Sequence, residues 1–203
     1  YNVNAADEVK RNEILDQVKE KFANTDSTIR VLVHSLAFGS LVPFTEMEGK
    51  KPVTKKQMDM TLDVMANSLV YWTQGIMERG LMRSGGKIYS MTSSGGARQI
   101  KYYGVVSAAK ACLESVTRQL AMELGSQGIS ANAICAGVTE TPALSKIPGA
   151  DLIIQNALQR NPAGRLTQPG DIARFILDNY KTDSHWMTGN TIHLDGGESI
   201  VEL

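Results

Sequence analysis

Tyr103 and Lys110 lie seven residues apart in the segment KYYGVVSAAKACLESVTRQLA. At about 100° per residue, seven steps close to within roughly 20° of two full turns, so on a helix the phenol and the ammonium share a face. A phenol and an ammonium on one face make a proton-donor pair. Tyr102 is one residue further from Lys110 and points roughly 80° away by the same arithmetic, which makes Tyr103 the better candidate. An isolated pair of this kind is more simply a half-buried aromatic beside a solvated lysine, so its weight depends on the segments around it.

Three of those segments end in small or polar groups. The run around Ile29, Val31, Leu32 and Val33 reads as a buried parallel strand that opens into HSLAFGS; KIYSMTSSGG is a second strand ending in hydroxyls; and ISANAICAGVTET is a third, running into Gly137, Thr139 and Thr141. Between them lie helical patterns. Residues 5–23 place Val9, Leu15, Val18 and Phe22 at near-helical spacing among charges. A long pattern runs from about 55 to 82, another from 103 to 124 before Gly125 and Gly128, and two more at 151–160 and 169–179. Strands are expected at 29–34, 86–92, 129–135 and 189–194. This alternation predicts an α/β protein, a Rossmann-like doubly wound parallel sheet with helices on both faces and no internal repeat or linker. Ligands of such sheets sit at the carboxyl ends of the strands, where the hydroxyls and glycines cluster.

Taken together these motifs resemble the short-chain dehydrogenase/reductase family, and within it the enoyl-acyl-carrier-protein reductases of fatty-acid synthesis. His34-Ser35-Leu36-Ala37-Phe38 is similar to their strand-end motif, and the seven-residue spacing of Tyr103 and Lys110 is also theirs. An ordinary short-chain dehydrogenase carries its tyrosine four residues before the lysine, where this chain has Val106. The resemblance continues through Ala136-Gly137-Val138-Thr139-Glu140-Thr141 and Asn161-Pro162-Ala163-Gly164-Arg165 to Leu194-Asp195-Gly196-Gly197, and so covers essentially the whole chain.

The resemblance implies a reductase that uses NADPH or NADH to saturate the 2,3 double bond of an enoyl substrate bound to acyl carrier protein. It implies that Tyr103 hydrogen-bonds the thioester oxygen and that Lys110 holds the nicotinamide ribose. Asn2 and Val3 fall near the adenine, Ser35, Leu36 and Ala37 near the adenosine ribose and pyrophosphate, and Gly137, Thr139 and Thr141 around the nicotinamide and a phosphate. For the two threonines, capping of a following helix is a compatible reading. Residues 142–160, with Pro142, Pro148 and Gly149, resemble the family's lid, with Leu144, Ile147 and Leu152 toward the acyl chain or packed on a neighbouring helix. Lys146 and Arg160 flank it, facing the carrier protein or simply solvent. Many relatives carry a second tyrosine ten residues before the catalytic one; here that position is Ser93, as in a divergent branch with the same activity. Met65 replaces the structural asparagine of the ketone-reducing members. A homotetramer in the cytoplasm is expected by analogy.

No Gly-rich phosphate loop appears in the chain, and Tyr1-Asn2-Val3 resembles the end of the family's third strand. The first two strand-helix units, roughly 60 residues at about 30 per unit, are therefore expected upstream, and the strand at 29–34 is expected to show an open edge. The loops that discriminate NADH from NADPH belong to that part. Composition adds boundaries. The 203 residues, 42% hydrophobic, suffice for one globular domain, and 21 basic against 21 acidic residues give no support to a nucleic-acid or membrane-surface role. Cys112 and Cys135 read as reduced thiols. His34, His185 and His193 lack metal-ligand spacing, so no metal is expected. Two other readings stay open: another short-chain reductase, acting on an enoyl-CoA, dienoyl-CoA or 3-oxoacyl group, and a catalytically silent binding module.

Overall fold

The computed structural model describes residues 1–142, 144–147, 149–181 and 185–202, so Pro148 of the expected lid lies outside the described residues. Four strands, β1 (Val31–His34), β2 (Lys87–Thr92), β3 (Ser130–Ala136) and β4 (Thr191–Leu194), form one sheet in the order β1-β2-β3-β4. All three pairings are parallel, with Val31 opposite Lys87, Lys87 opposite Ser130 and Ala133 opposite Thr191. The β2 and β3 side chains are buried almost throughout, as a strand covered on both faces requires. β1 is an edge, and Val33 on it is 43% exposed.

Among the described residues six α-helices accompany the sheet: α1 (Glu8–Phe22), α2 (Lys55–Leu62), α3 (Ser68–Glu78), α4 (Gly104–Leu124), α5 (Ala150–Arg160) and α6 (Pro169–Tyr180). Their starts follow local chemistry. Asp7 accepts the Lys10 N–H ahead of α1, Thr54 and Gln57 form a reciprocal capping box on α2, and Pro169 occupies the first turn of α6. Alternation along β2 sends neighbours to opposite faces. Ile88 joins Leu15 of α1, Leu69 and Ile76 of α3 and Leu113 and Leu120 of α4 in the main core, whereas Tyr89 meets Phe175 of α6 edge-on at 6.0 Å. Helices therefore cover both faces, as the sequence predicts.

Two expectations about helices need correction. The pattern from 55 to 82 is not one helix: a π-turn over Asp63–Asn67 separates α2 from α3, and α3 gives way after Glu78 near Gly80, whose φ of 64° ends the run. Tyr103 is also not inside its helix. It is the N-cap of α4, with φ −91° and ψ 0°, so its alignment with Lys110 is set by the turn before α4 as well as by helical phase. Among the described residues no helix is long and apolar enough to cross a membrane.

Candidate active site

Every candidate group leaves the sheet at the carboxyl end of a strand or lies on the helix that follows. Lys110, one and a half turns into α4, is 5% exposed. Its ammonium donates to the Met91 carbonyl at 2.6 Å and, at the longer distance of 3.4 Å, to the Leu36 carbonyl. These contacts tie α4 to the ends of β2 and β1 and leave one of the three ammonium donors unassigned. Burial pushes its pKa down to about 8, and the Glu114 carboxylate one turn on pulls it back up.

Tyr103 is half-buried against Met65, Val106 and Ala109. Burial raises its pKa, which keeps the phenol protonated and able to donate. The Ser93 hydroxyl lies close enough to favour the phenolate in part, yet it is not placed for a well-formed hydrogen bond, and its buried oxygen has no partner. Gly95 fixes the ring: a Cβ there would stand 2.5 Å from Cε1 and 3.0 Å from Cδ1 of Tyr103. Tyr102, with a left-handed φ of 65°, turns the other way and donates its hydroxyl to the Glu48 carboxylate, with the Lys50 ammonium 3.9 Å from the ring centre. The structure thus brings Tyr103 and Ser93 together around Gly95, places Lys110 against Gly96 and the Met91 carbonyl, and sets Tyr102 apart. Val106 is buried in the same apolar cluster, so the position that carries the tyrosine in ordinary family members holds no proton donor.

The remaining candidates are distributed more loosely. Ser35 and Ala37 are exposed and Leu36 half-buried just beyond β1, whereas Asn2 and Val3 are exposed ahead of α1. The missing side chain of Gly137 faces Thr167, Asp195 and Glu198, so packing of the chain's own loops already demands glycine there. Thr139 donates its hydroxyl to the Gly137 carbonyl at 3.0 Å, and Thr141 accepts the Leu144 N–H at 3.2 Å, capping the turn at Leu144–Lys146. Leu144 and Ile147 are half-buried and Leu152 on α5 is 61% exposed, so Leu152 does not pack on a neighbouring helix.

Four further groups take roles that the sequence reading did not assign. Glu114 accepts the Thr92 hydroxyl at 2.6 Å and lies against Gly96; its i,i+4 spacing from Lys110 is the signal that identifies it. His34 is buried, with Nε2 2.8 Å from the Ser68 hydroxyl. Ser68 itself donates to the Val64 carbonyl at 2.7 Å, so His34 must donate through Nε2 and keep Nδ1 unprotonated, where it has no partner. Burial, helped by the Lys110 charge, lowers the His34 pKa to about 4. Glu198 is buried and accepts the Val138 N–H at 3.0 Å, and nothing in its sequence context marks it. Asp195 fastens the following turn by accepting the N–H groups of Gly197 and Ser199, both at 3.0 Å, while its carbonyl receives Asn161 at 2.9 Å.

Comparison with known proteins now adds identity to this geometry. Residues 1–199 match the family described as Enoyl-(Acyl carrier protein) reductase. The NADH-dependent enoyl-acyl-carrier-protein reductase FabI of a Synechocystis species is 31% identical over 200 residues, covering 97% of this chain and 73% of its own length. The (2S)-[(R)-hydroxy(phenyl)methyl]succinyl-CoA dehydrogenase subunit BbsD of Thauera aromatica is 33% identical over 153 residues, covering 74% of this chain and 59% of its own. The crystal structure of the Bacillus cereus enoyl-acyl-carrier-protein reductase with NADP+ and an indole naphthyridinone superposes with a TM-score of 0.87 at 25% identity, over 99% of this chain and 75% of that one. With its parallel sheet, its tyrosine and lysine seven residues apart and this match along nearly its whole length, the chain belongs to the enoyl-(acyl carrier protein) reductase family.

Proposed function

We propose that the protein reduces the 2,3 double bond of an enoyl thioester carried by acyl carrier protein, as its relatives' names describe, in the cytoplasm and as a homotetramer. The observation that carries this reading is the Tyr103 phenol, held protonated by burial beside Ser93 and seven residues before the buried Lys110, while Val106 leaves the ordinary dehydrogenase position without a donor. NADH or NADPH supplies the hydride that reaches the β-carbon. The chain's donor set fits the nicotinamide half of such a cofactor: the ammonium of Lys110 has a donor to spare, and the unpartnered Ser93 oxygen lies beside the phenol.

As negative charge builds on the thioester oxygen, Tyr103 donates a hydrogen bond to it, and Ser93 helps to orient the phenol. Lys110 binds the ribose hydroxyls, and its charge favours electron density on the phenol oxygen. Asn2 and Val3 contact the adenine, Ser35, Leu36 and Ala37 the adenosine ribose and pyrophosphate, and Gly137, Thr139 and Thr141 the nicotinamide and a phosphate. Residues 142–160 act as the lid of a single reductase domain, with Leu144, Ile147 and Leu152 against the acyl chain.

Similarity to BbsD favours a second reading, oxidation of a hydroxyacyl-CoA, but the buried Val106 provides no base for an alcohol. The test is oxidation of NADH and NADPH by the full-length gene product with crotonyl thioester. Tyr103→Phe should cut kcat roughly 10²- to 10³-fold, the cost of one oxyanion donor. A variant as active as wild type would remove Tyr103 from the mechanism, and no turnover of any thioester would favour a silent binding module.

A further inference from the structure

A cavity of about 610 Å³ opens between α5, the turn after β2 and the carboxyl-terminal turn, lined by Arg98, Asn156, Arg160, Ser199, Ile200, Val201 and Glu202. Asn156 and Arg160 stand one turn apart on α5, and Arg98 lies two residues past the Gly96 that packs on Lys110 and Glu114. The cavity therefore borders the crevice at the carboxyl ends of β2, β3 and β4. Among the described residues neither guanidinium has a carboxylate partner. There Arg98, itself exposed, donates only to the Ser199 carbonyl at 3.1 Å, and Arg160 has no hydrogen-bond partner, with its Nε buried. Glu202 on the wall pairs with neither among those residues. A smaller cavity of about 250 Å³ shows the contrast, because there Arg165 is neutralised by a bidentate pair with Asp171 at 2.7 and 3.0 Å.

Guanidinium groups are suited to planar, multidentate contact with phosphate, and a buried Nε without an acceptor is a donor waiting for one. We propose that this cavity is an anion site, in which Arg98 and Arg160 take a phosphate group on the pantetheine arm of the acyl-thioester substrate. The assignment rests on the enoyl-thioester reading above and adds to it a contact remote from the reacting carbons. Because Arg160 and Asn156 belong to the expected lid and Arg98 to the turn that leads to Tyr103, a phosphate held between them fastens the lid helix over the crevice.

The experiment compares KM for crotonyl-CoA, for crotonyl acyl carrier protein and for crotonyl-pantetheine, which has no phosphate, in wild type, Arg98→Gln and Arg160→Gln. The expected result is a rise of roughly tenfold for the phosphate-bearing thioesters and none for crotonyl-pantetheine. A rise confined to one of the two identifies whether the phosphate of CoA or that of the carrier protein is read. Asn156→Asp, on an exposed helix face, places a carboxylate one turn from Arg160 and should raise KM in the same selective way. Equal changes for all three thioesters, or no change, overturn the proposal. Calorimetric titration with CoA separates the two readings: binding that weakens in both arginine variants while no thioester is turned over sinks the reductase reading and leaves the anion site standing.

Discussion

Gly95→Ala is the substitution that most directly connects packing to chemistry in this protein. The added methyl carbon would begin 2.5 Å from Cε1 of Tyr103, against about 3.5 Å for two carbons in comfortable contact. The neighbour that must yield is the edge of an aromatic ring and not backbone, so the ring swings away by about 1 Å and the fold survives, with an overpacking cost of about 1–3 kcal/mol. Misplacement of a catalytic group by that distance lowers turnover by roughly 10²-fold. Steady-state kinetics with crotonyl-CoA should therefore show kcat reduced by that factor and KM nearly unchanged, with the urea midpoint shifted only modestly. Gly125→Ala serves as control: it lies at the end of α4 with nothing within 4 Å of the added carbon, and should leave kcat unaltered. Wild-type kcat in Gly95→Ala would refute the claim that the Gly95 contact positions the phenol. Loss of folding would refute the claim that the ring can move.

Two pH effects follow from the buried basic groups of the site. Between the Lys110 pKa of about 8 in the folded protein and 10.5 in the unfolded chain, the unfolded chain holds the extra proton, so stability should rise with pH across that window by about 3 kcal/mol. Urea unfolding of Lys110→Met should lack that rise, and the wild-type activity should decline above pH 8 as the ammonium is lost; equal slopes in both proteins would contradict the assigned desolvation. His34 acts in the same sense at the acid end. Its folded pKa of about 4 against 6.5 unfolded means that stability falls by about 3 kcal/mol as pH drops from 6.5 to 4, and His34→Gln should flatten that limb. An unchanged acid limb in that variant would show that other groups govern acid unfolding.

The alternation of strands and helices was legible because each carries its own period: apolar runs for β1 to β3, and 3.6-residue spacing for α1 and α4. Boundaries moved by one to three residues, as for the strand expected from 29 that begins at Val31 and the helix expected from 5 that begins at Glu8. The pair Tyr103 and Lys110 could be read from its spacing, although Tyr103 turned out to cap α4 from outside. The π-turn was not legible, since Asp63–Asn67 contains no glycine or proline to mark it, and it packs against α4, far along the chain. Nor was the role of His34, whose tautomer depends on Ser68, a residue 34 positions away, and in turn on a carbonyl inside that turn. Contacts of this kind are set by tertiary structure, and no local pattern encodes them.

The π-turn separates two packing duties that adjacent residues perform. Met65 belongs to the small cluster with Val106, Ala109 and the Tyr103 ring, while Ala66, the next residue, belongs to the main core with Leu69 and Leu113. A continuous α-helix would commit both to one angular schedule, so that enlarging a side chain beside the phenol would rotate or lift the residues that hold the sheet. The wide turn breaks that linkage. Side chains beside the phenol, Leu62 ahead of the turn and Met65 within it, can therefore change in size while the segment beyond keeps its grip on the sheet.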